Sequence, residues 1–133
     1  MKTFLNSLLM GLMLLLGMSC SSNTPESVAK EFAECIYTAD YENAKKLCTA
    51  ESVDAVGLIQ GISSKYVDEI KKSSPDVKVV SCEVDEEKET AKVKVEIKNA
   101  FDLNEKAVNP DAETETYKMK KVDGEWRVQV SVK

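Results

Sequence analysis

The chain reads as an α+β domain, with N-terminal helices packed on one face of a four-stranded antiparallel sheet. Three observations lead there. Apolar residues recur at helical spacing from Val28 to about Lys72, then alternate one-in-two from Val77 onward. The stretch Ser73-Ser74-Pro75-Asp76 separates the two regimes, and Asp123-Gly124 is a strong hairpin signal. Helices that come first and strands that come later make α+β, because a hairpin-connected sheet with one polar face buries the other against the helices.

Each element has a local cause. Thr24-Pro25 starts the first helix: Thr caps it, and Pro stands where its missing N–H costs nothing. Val28, Phe32, Cys35 and Ile36 form its apolar stripe, which runs to about Thr38. Asp40 caps a shorter helix carrying Tyr41, Ala44, Leu47 and Cys48. A third helical segment spans about Ser52 to Lys72, with Val56, Ile59, Tyr66 and Ile70 as its stripe. Gly57 and Gly61 weaken it by about 1 kcal/mol each and are expected to divide it.

In the strand half, Val80, Cys82 and Val84 are expected to face inward, with Glu86 to Glu89 as a charged turn. Ala91, Val93, Val95 and Ile97 alternate with Lys92, Lys94, Glu96 and Lys98. A loop follows from Asn99 to about Ala112. Tyr117 and Met119, then Trp126, Val128, Val130 and Val132, complete the inward set.

The first 19 residues stand apart. Lys2 precedes the apolar run Leu8 to Met18, eleven residues that span about half of a hydrocarbon core of roughly 30 Å. That length suits the h-region of a secretory signal. Gly17 and Ser19 fit ordinary signal-peptidase cleavage. The set Leu16-Gly17-Met18-Ser19-Cys20 also resembles a bacterial lipobox, with Leu16 one place further from the cysteine than is usual; both readings cut after Ser19. The expected organisation is a lipoprotein signal over residues 1–19, a lipidated tether over 20–23 and one α+β domain over 24–133. Acyl chains on Cys20 (palmitate among them) would hold the domain on a bacterial membrane, facing periplasm or exterior.

Composition bounds the partners. The formal net charge is −5 and no basic tail appears, so nucleic acid is not expected and the net charge gives no attraction to an anionic membrane. With Cys20 set aside, Cys35, Cys48 and Cys82 remain, at gaps that match no zinc pattern. They read as small buried apolar residues, with a Cys35–Cys48 disulfide as the alternative in an exported chain.

The segments "TPESVAKEFAECIYTADYENAKKLC" and "YKMKKVDGEWRVQV" resemble the nuclear transport factor 2-like (cystatin-like) superfamily. More narrowly, they resemble small bacterial lipoproteins that carry domain of unknown function 4878. The resemblance implies helices lying in the concavity of a curved sheet, a cone, and carries no assigned activity. It also implies that a carboxylate and a Tyr or His would line the pocket of related enzymes, and that many relatives dimerise through the open sheet face.

The chain has no histidine, which removes Ser-His-Asp and Cys-His catalysis and histidine-based metal sites. The pocket residues expected are Glu115 and Tyr117 on one strand, Tyr66 from the third helical segment, and Trp126. Glu115 otherwise reads as a solvated rim residue. Ser27-Val28-Ala29-Lys30 matches S-x-x-K without the companion motifs of penicillin-recognising enzymes. Gly57 to Gly61 matches G-x-x-x-G outside any membrane-length apolar segment. The Asp85 to Glu89 run reads as a solvated turn rather than a cation site, and no metal or cofactor is expected beyond the lipid on Cys20.

Lys92, Lys94, Lys98, Lys118, Lys120 and Arg127 share the open sheet face with Glu96, Thr116, Gln129 and Ser131, which reads as a monomer's surface. The expected function is a non-enzymatic module that binds an envelope protein or a small apolar ligand. The alternatives are a general acid–base enzyme using Glu115 with Tyr117 or Tyr66, and a purely structural envelope component.

Overall fold

The computed structural model describes residues 23–130. The leader, Cys20, Ser131 and Val132 lie outside that range. Helix α1 (Pro25–Tyr37) is followed by α2 (Tyr41–Leu47), a 3-10 turn (Ala50–Ser52), α3 (Val53–Ser63), a second 3-10 turn (Ser64–Tyr66) and α4 (Val67–Lys72). Strands β1 (Asp76–Asp85), β2 (Thr90–Lys98), β5 (Glu113–Val122) and β6 (Glu125–Gln129) form one antiparallel sheet in that order. Between β2 and β5, β3 (Ala100–Asp102) and β4 (Ala107–Asn109) make a separate hairpin. Among the described residues, no helix is long and apolar enough to cross a membrane.

Helix α1 begins in a reciprocal cap. The Ser27 amide donates to Thr24 Oγ1 at 3.1 Å, and the Thr24 amide donates to Ser27 Oγ at 3.2 Å. It ends in a Schellman arrangement, with the Asp40 amide on the Cys35 carbonyl and the Ala39 amide on the Ile36 carbonyl. Ala39 takes the left-handed position (φ 62°) that glycine usually fills. One face of α1 (Val28, Ala29, Phe32, Ala33, Cys35) is buried against the sheet, while Lys30, Glu31 and Glu34 are exposed. Asp40 does precede α2, but its carboxylate accepts the Asn43 side-chain amide at 2.8 Å rather than a backbone N–H.

The break in the third helical segment falls after Ser63, not at the glycines. Gly57 and Gly61 lie inside α3, and apart from chain neighbours and the helix's own backbone no atom lies within 4 Å of where a Cβ would stand at either. At the break, the Ser64 hydroxyl donates to the Gly61 carbonyl at 2.9 Å and the chain tightens to 3-10 geometry.

The sheet holds two corrections. A bulge between Val79 and Ser81 puts Val77 and Val79 on the inner face and turns Val80 out, where it is 51% exposed. Beyond the bulge Cys82 pairs with Val93 and Val84 with Ala91, but Val84 runs past the cover of the helices and is 48% exposed. Second, the expected Asn99–Ala112 loop contains the β3–β4 hairpin. Asp102 Oδ1 accepts the amides of Asn104 and Glu105 and so shapes its turn.

The central strand follows the sequence pattern closely. Ala91, Val93, Val95 and Ile97 are buried, and Lys92, Lys94 and Lys98 are exposed. The β5–β6 turn places Asp123 (φ 52°) and Gly124 (φ 83°) both in the left-handed region, the geometry of a type I′ hairpin.

The outer edge of β6 is covered by the side chains of Asn23 and Ser52 and by the backbone of Thr49. The Trp126 amide donates to Asn23 Oδ1 at 2.6 Å, and Asn23 Nδ2 donates back to the Trp126 carbonyl. The Thr49 amide donates to the Val128 carbonyl at 2.9 Å, and the Val130 amide to Ser52 Oγ at 2.8 Å. An unpaired strand edge is an aggregation template, and this cover removes it. Cys35, Cys48 and Cys82 are all free thiols, so the alternative Cys35–Cys48 bridge is not formed. Cys35 and Cys48 are buried, as expected, whereas Cys82, expected to be buried with them, is only half-buried because β1 beyond the bulge is partly uncovered.

Candidate functional site

Where the C-terminal half of α1 crosses the start of β5, the layers leave a cleft of about 400 Å³. Phe32, Ile36 and Tyr37 come from α1, Ile59 from α3, Glu115, Thr116, Tyr117 and Lys118 from β5, Gln129 from the end of β6 and Val130 from just after it. Glu115 and Tyr117 share a face because strand side chains alternate. The Phe32 and Tyr117 rings meet edge to face at 5.4 Å and 83°, the geometry favoured by the ring quadrupoles.

The electrostatics tie three polar groups together. Burial pushes the Tyr117 phenol well above its ordinary range, and the neighbouring Tyr37 and Glu115 add to this. Tyr37 is raised likewise, by burial first and then by Glu115 and Glu113. The Glu115 carboxyl is also raised, first by partial burial and then by repulsion from Glu113. At neutral pH both phenols therefore keep their protons and serve as hydrogen-bond donors rather than bases. Glu115, exposed overall, is the carboxyl of the cleft, and it holds its proton to a higher pH than an ordinary glutamate does.

Of the residues singled out in the sequence, Glu115 and Tyr117 meet in this cleft. Tyr66 does not line it: its ring lies 5.6 Å from that of Phe101, where it joins the 3-10 turn to β3. Trp126 is buried towards the opposite end of the sheet, beside Asn23 and with Lys121 Nζ 5.6 Å from its ring centre. Tyr37 takes the place that Tyr66 was expected to fill. Its sequence signal was an aromatic next to the apolar stripe in the last turn of α1, with Phe32 five residues earlier.

The thiols are poor nucleophiles. Cys35 is pushed up to about 11, by burial first and then by Asp40, Glu31 and Glu34. Burial also raises Cys48, and it raises Cys82 with help from Glu26. Among the described residues no group of three or more acidic or cysteine side chains is placed to hold a metal ion.

No family model and no curated protein matches the chain. A crystal structure from Campylobacter jejuni, provisionally described as an NTF2-like transpeptidase, is similar to it. The TM-score is 0.60 at 17% sequence identity, over 81% of this chain and 99% of that one. The helices on a four-stranded antiparallel sheet seen here are therefore those of the nuclear transport factor 2-like fold.

Proposed function

We propose that this protein is a bacterial cell-envelope lipoprotein, anchored through Cys20, whose domain binds a small ligand with an apolar body and does not turn it over. The observation that carries the binding reading is the α1–β5 cleft, which joins apolar Phe32, Ile36, Ile59 and Val130 and the rings of Tyr37 and Tyr117 to polar Glu115, Thr116, Lys118 and Gln129. A cleft so lined suits a small molecule whose apolar body lies on the Phe32, Ile36 and Ile59 side and whose polar groups meet Glu115, Thr116, Lys118 or Gln129. The lipobox-like residues before Cys20 support the anchorage, and the narrower likeness to lipoproteins with domain of unknown function 4878 belongs with it.

The name of the Campylobacter jejuni neighbour raises acyl transfer through a nucleophile. The raised thiols and the absence of histidine from the whole chain speak against carrying that chemistry over. The exposed lysines of the open sheet face, among them Lys92, Lys94 and Lys118, favour a monomer. A second reading rests on the grouping of Glu115 with Tyr37 and Tyr117: a general acid–base enzyme, with Glu115 as the proton carrier and the phenols as donors to a developing oxyanion.

Native mass spectrometry of the domain after incubation with envelope extract tests the binding reading. A bound small molecule should be present in wild type and absent from Ile36→Trp, which fills the cleft. Retention of the same molecule by a folded Ile36→Trp would sink it. Radiolabelled palmitate should enter wild type and not Cys20→Ala; equal labelling would remove the anchor. Consumption of the retained molecule by wild type but not by Glu115→Gln would decide for the second reading.

A further inference from the structure

A second cleft, of about 590 Å³, opens beside the β6 edge, where α2 and the turn after it meet the β5–β6 hairpin. Five cationic side chains line it: Lys45 and Lys46 from α2, Lys120 and Lys121 from β5, and Arg127 from β6. Glu51 and Asp123 are its acidic members. In a chain whose formal net charge is −5, this is a local reversal of sign.

The cations are held differently. Arg127 Nη1 donates to the Lys46 carbonyl at 2.7 Å, and Nη2 lies 3.5 Å from Glu125, so the guanidinium is fixed in place. Lys45 pairs with Glu42 at 3.2 Å. Lys46, Lys120 and Lys121 form no ion pair among the described residues.

The N-terminus enters at this same place. Both side-chain amide atoms of Asn23 grip the main chain of Trp126, the residue before Arg127 and the cross-strand partner of Lys121. Only Ser21 and Ser22 separate Asn23 from Cys20, and four extended residues reach about 14 Å. A lipid on Cys20 would thus keep the β6 edge, and the cleft beside it, close to the membrane.

We propose that this cleft docks the domain onto the phosphate headgroups of anionic phospholipids. The fixed guanidinium places a positive charge at the cleft, and Lys46, Lys120 and Lys121, which form no ion pair among the described residues, supply the attraction for a phosphate. The acidic β1–β2 turn borders the cleft, since the Glu89 carbonyl accepts the Lys121 amide at 2.9 Å. Repulsion there confines contact to the β6 side and sets the orientation of the domain. The placement of the cleft at the membrane rests on the Cys20 anchor, whereas its affinity for headgroups does not.

The test uses a chain that starts at Ser21 and has no lipid; among the described residues its buried core runs from Val28 to Val128. Sedimentation with vesicles at low ionic strength should show binding to phosphatidylglycerol-rich membranes, little to pure phosphatidylcholine, and loss of binding as salt rises. Each lysine at an anionic surface contributes about five-fold, so Lys46→Gln/Lys120→Gln should weaken partitioning by roughly 25-fold. Lys72→Gln, at the other end of the sheet, should leave it unchanged. No binding to phosphatidylglycerol vesicles, equal binding to both vesicle types, or binding that the double variant leaves intact would overturn the proposal. So would capture of soluble glycerol phosphate without any vesicle preference. Because the tested chain lacks Cys20, failure here leaves the anchor standing, and failure of palmitate labelling leaves this result standing.

Discussion

Replacing Ser52 by alanine tests whether the cover on the β6 edge holds the fold together. Ser52 Oγ accepts the Val130 amide at 2.8 Å and lies 2.6 Å from Thr49 Oγ1, with Thr49 and Ser52 only 2% and 1% exposed. Alanine removes both partners at once. A buried hydroxyl left unsatisfied costs about 1–3 kcal/mol, and the bond lost to the half-buried Val130 about 1 kcal/mol more. The net loss is then about 2–4 kcal/mol. At a urea m-value of about 1.5 kcal/mol/M the unfolding midpoint should fall by about 1.3–2.7 M. Adding Thr49→Val removes the orphaned hydroxyl and should recover about 1 kcal/mol, so the pair loses less than the sum of the single changes. A midpoint shift below about 0.3 M at unchanged m, or strict additivity, would refute the argument.

Three further outcomes follow from the clefts and the core. Because the Glu115 pKa is raised in the folded state, its contribution to stability is complete below the ordinary carboxylate range and is lost as pH rises through the raised value; Glu115→Gln should flatten that slope in a series of urea midpoints, and an unchanged slope would show that Glu115 is not desolvated. Tyr37 and Tyr117 should ionise only as the protein unfolds in alkali, and Tyr37→Phe and Tyr117→Phe should each remove part of that late phenolate absorbance; loss of absorbance at an ordinary tyrosine pH instead would contradict their burial. In the native chain from Ser21, Cys35 and Cys48 should resist a thiol reagent at neutral pH and react once urea is added, while a mass lower by two hydrogens would reveal a bridge that the structure lacks.

Much of the scaffold was legible because local chemistry and tertiary packing agree. The Thr24-Pro25 start, the β2 alternation and the Asp123-Gly124 turn each depend on a few neighbouring residues, and each appears where the sequence places it. The misreadings share a cause. Val80 sits in an unbroken alternating pattern, but a bulge inserts one residue into β1 and changes which face follows. Gly57 and Gly61 are the weakest helix formers in their segment, yet the break occurs where Ser64 takes over a carbonyl. Tyr66 and Tyr37 carry the same side chain, and only the crossing of α1 over β5 decides which one meets Glu115.

The amino-acid sequence by itself determined the class of fold, the inner face of the central strand and the absence of histidine chemistry, because these depend on residue type and short-range period. The tertiary structure alone decided which side chains converge. It brought Tyr37 to Glu115 and Tyr117, left Trp126 beside Asn23, and gathered Lys45, Lys46, Lys120, Lys121 and Arg127 around one cleft. These groupings join residues up to 103 positions apart in the chain (Asn23 to Trp126). No period or spacing encodes them, since they arise from how the helices settle across a twisted sheet and along its last edge.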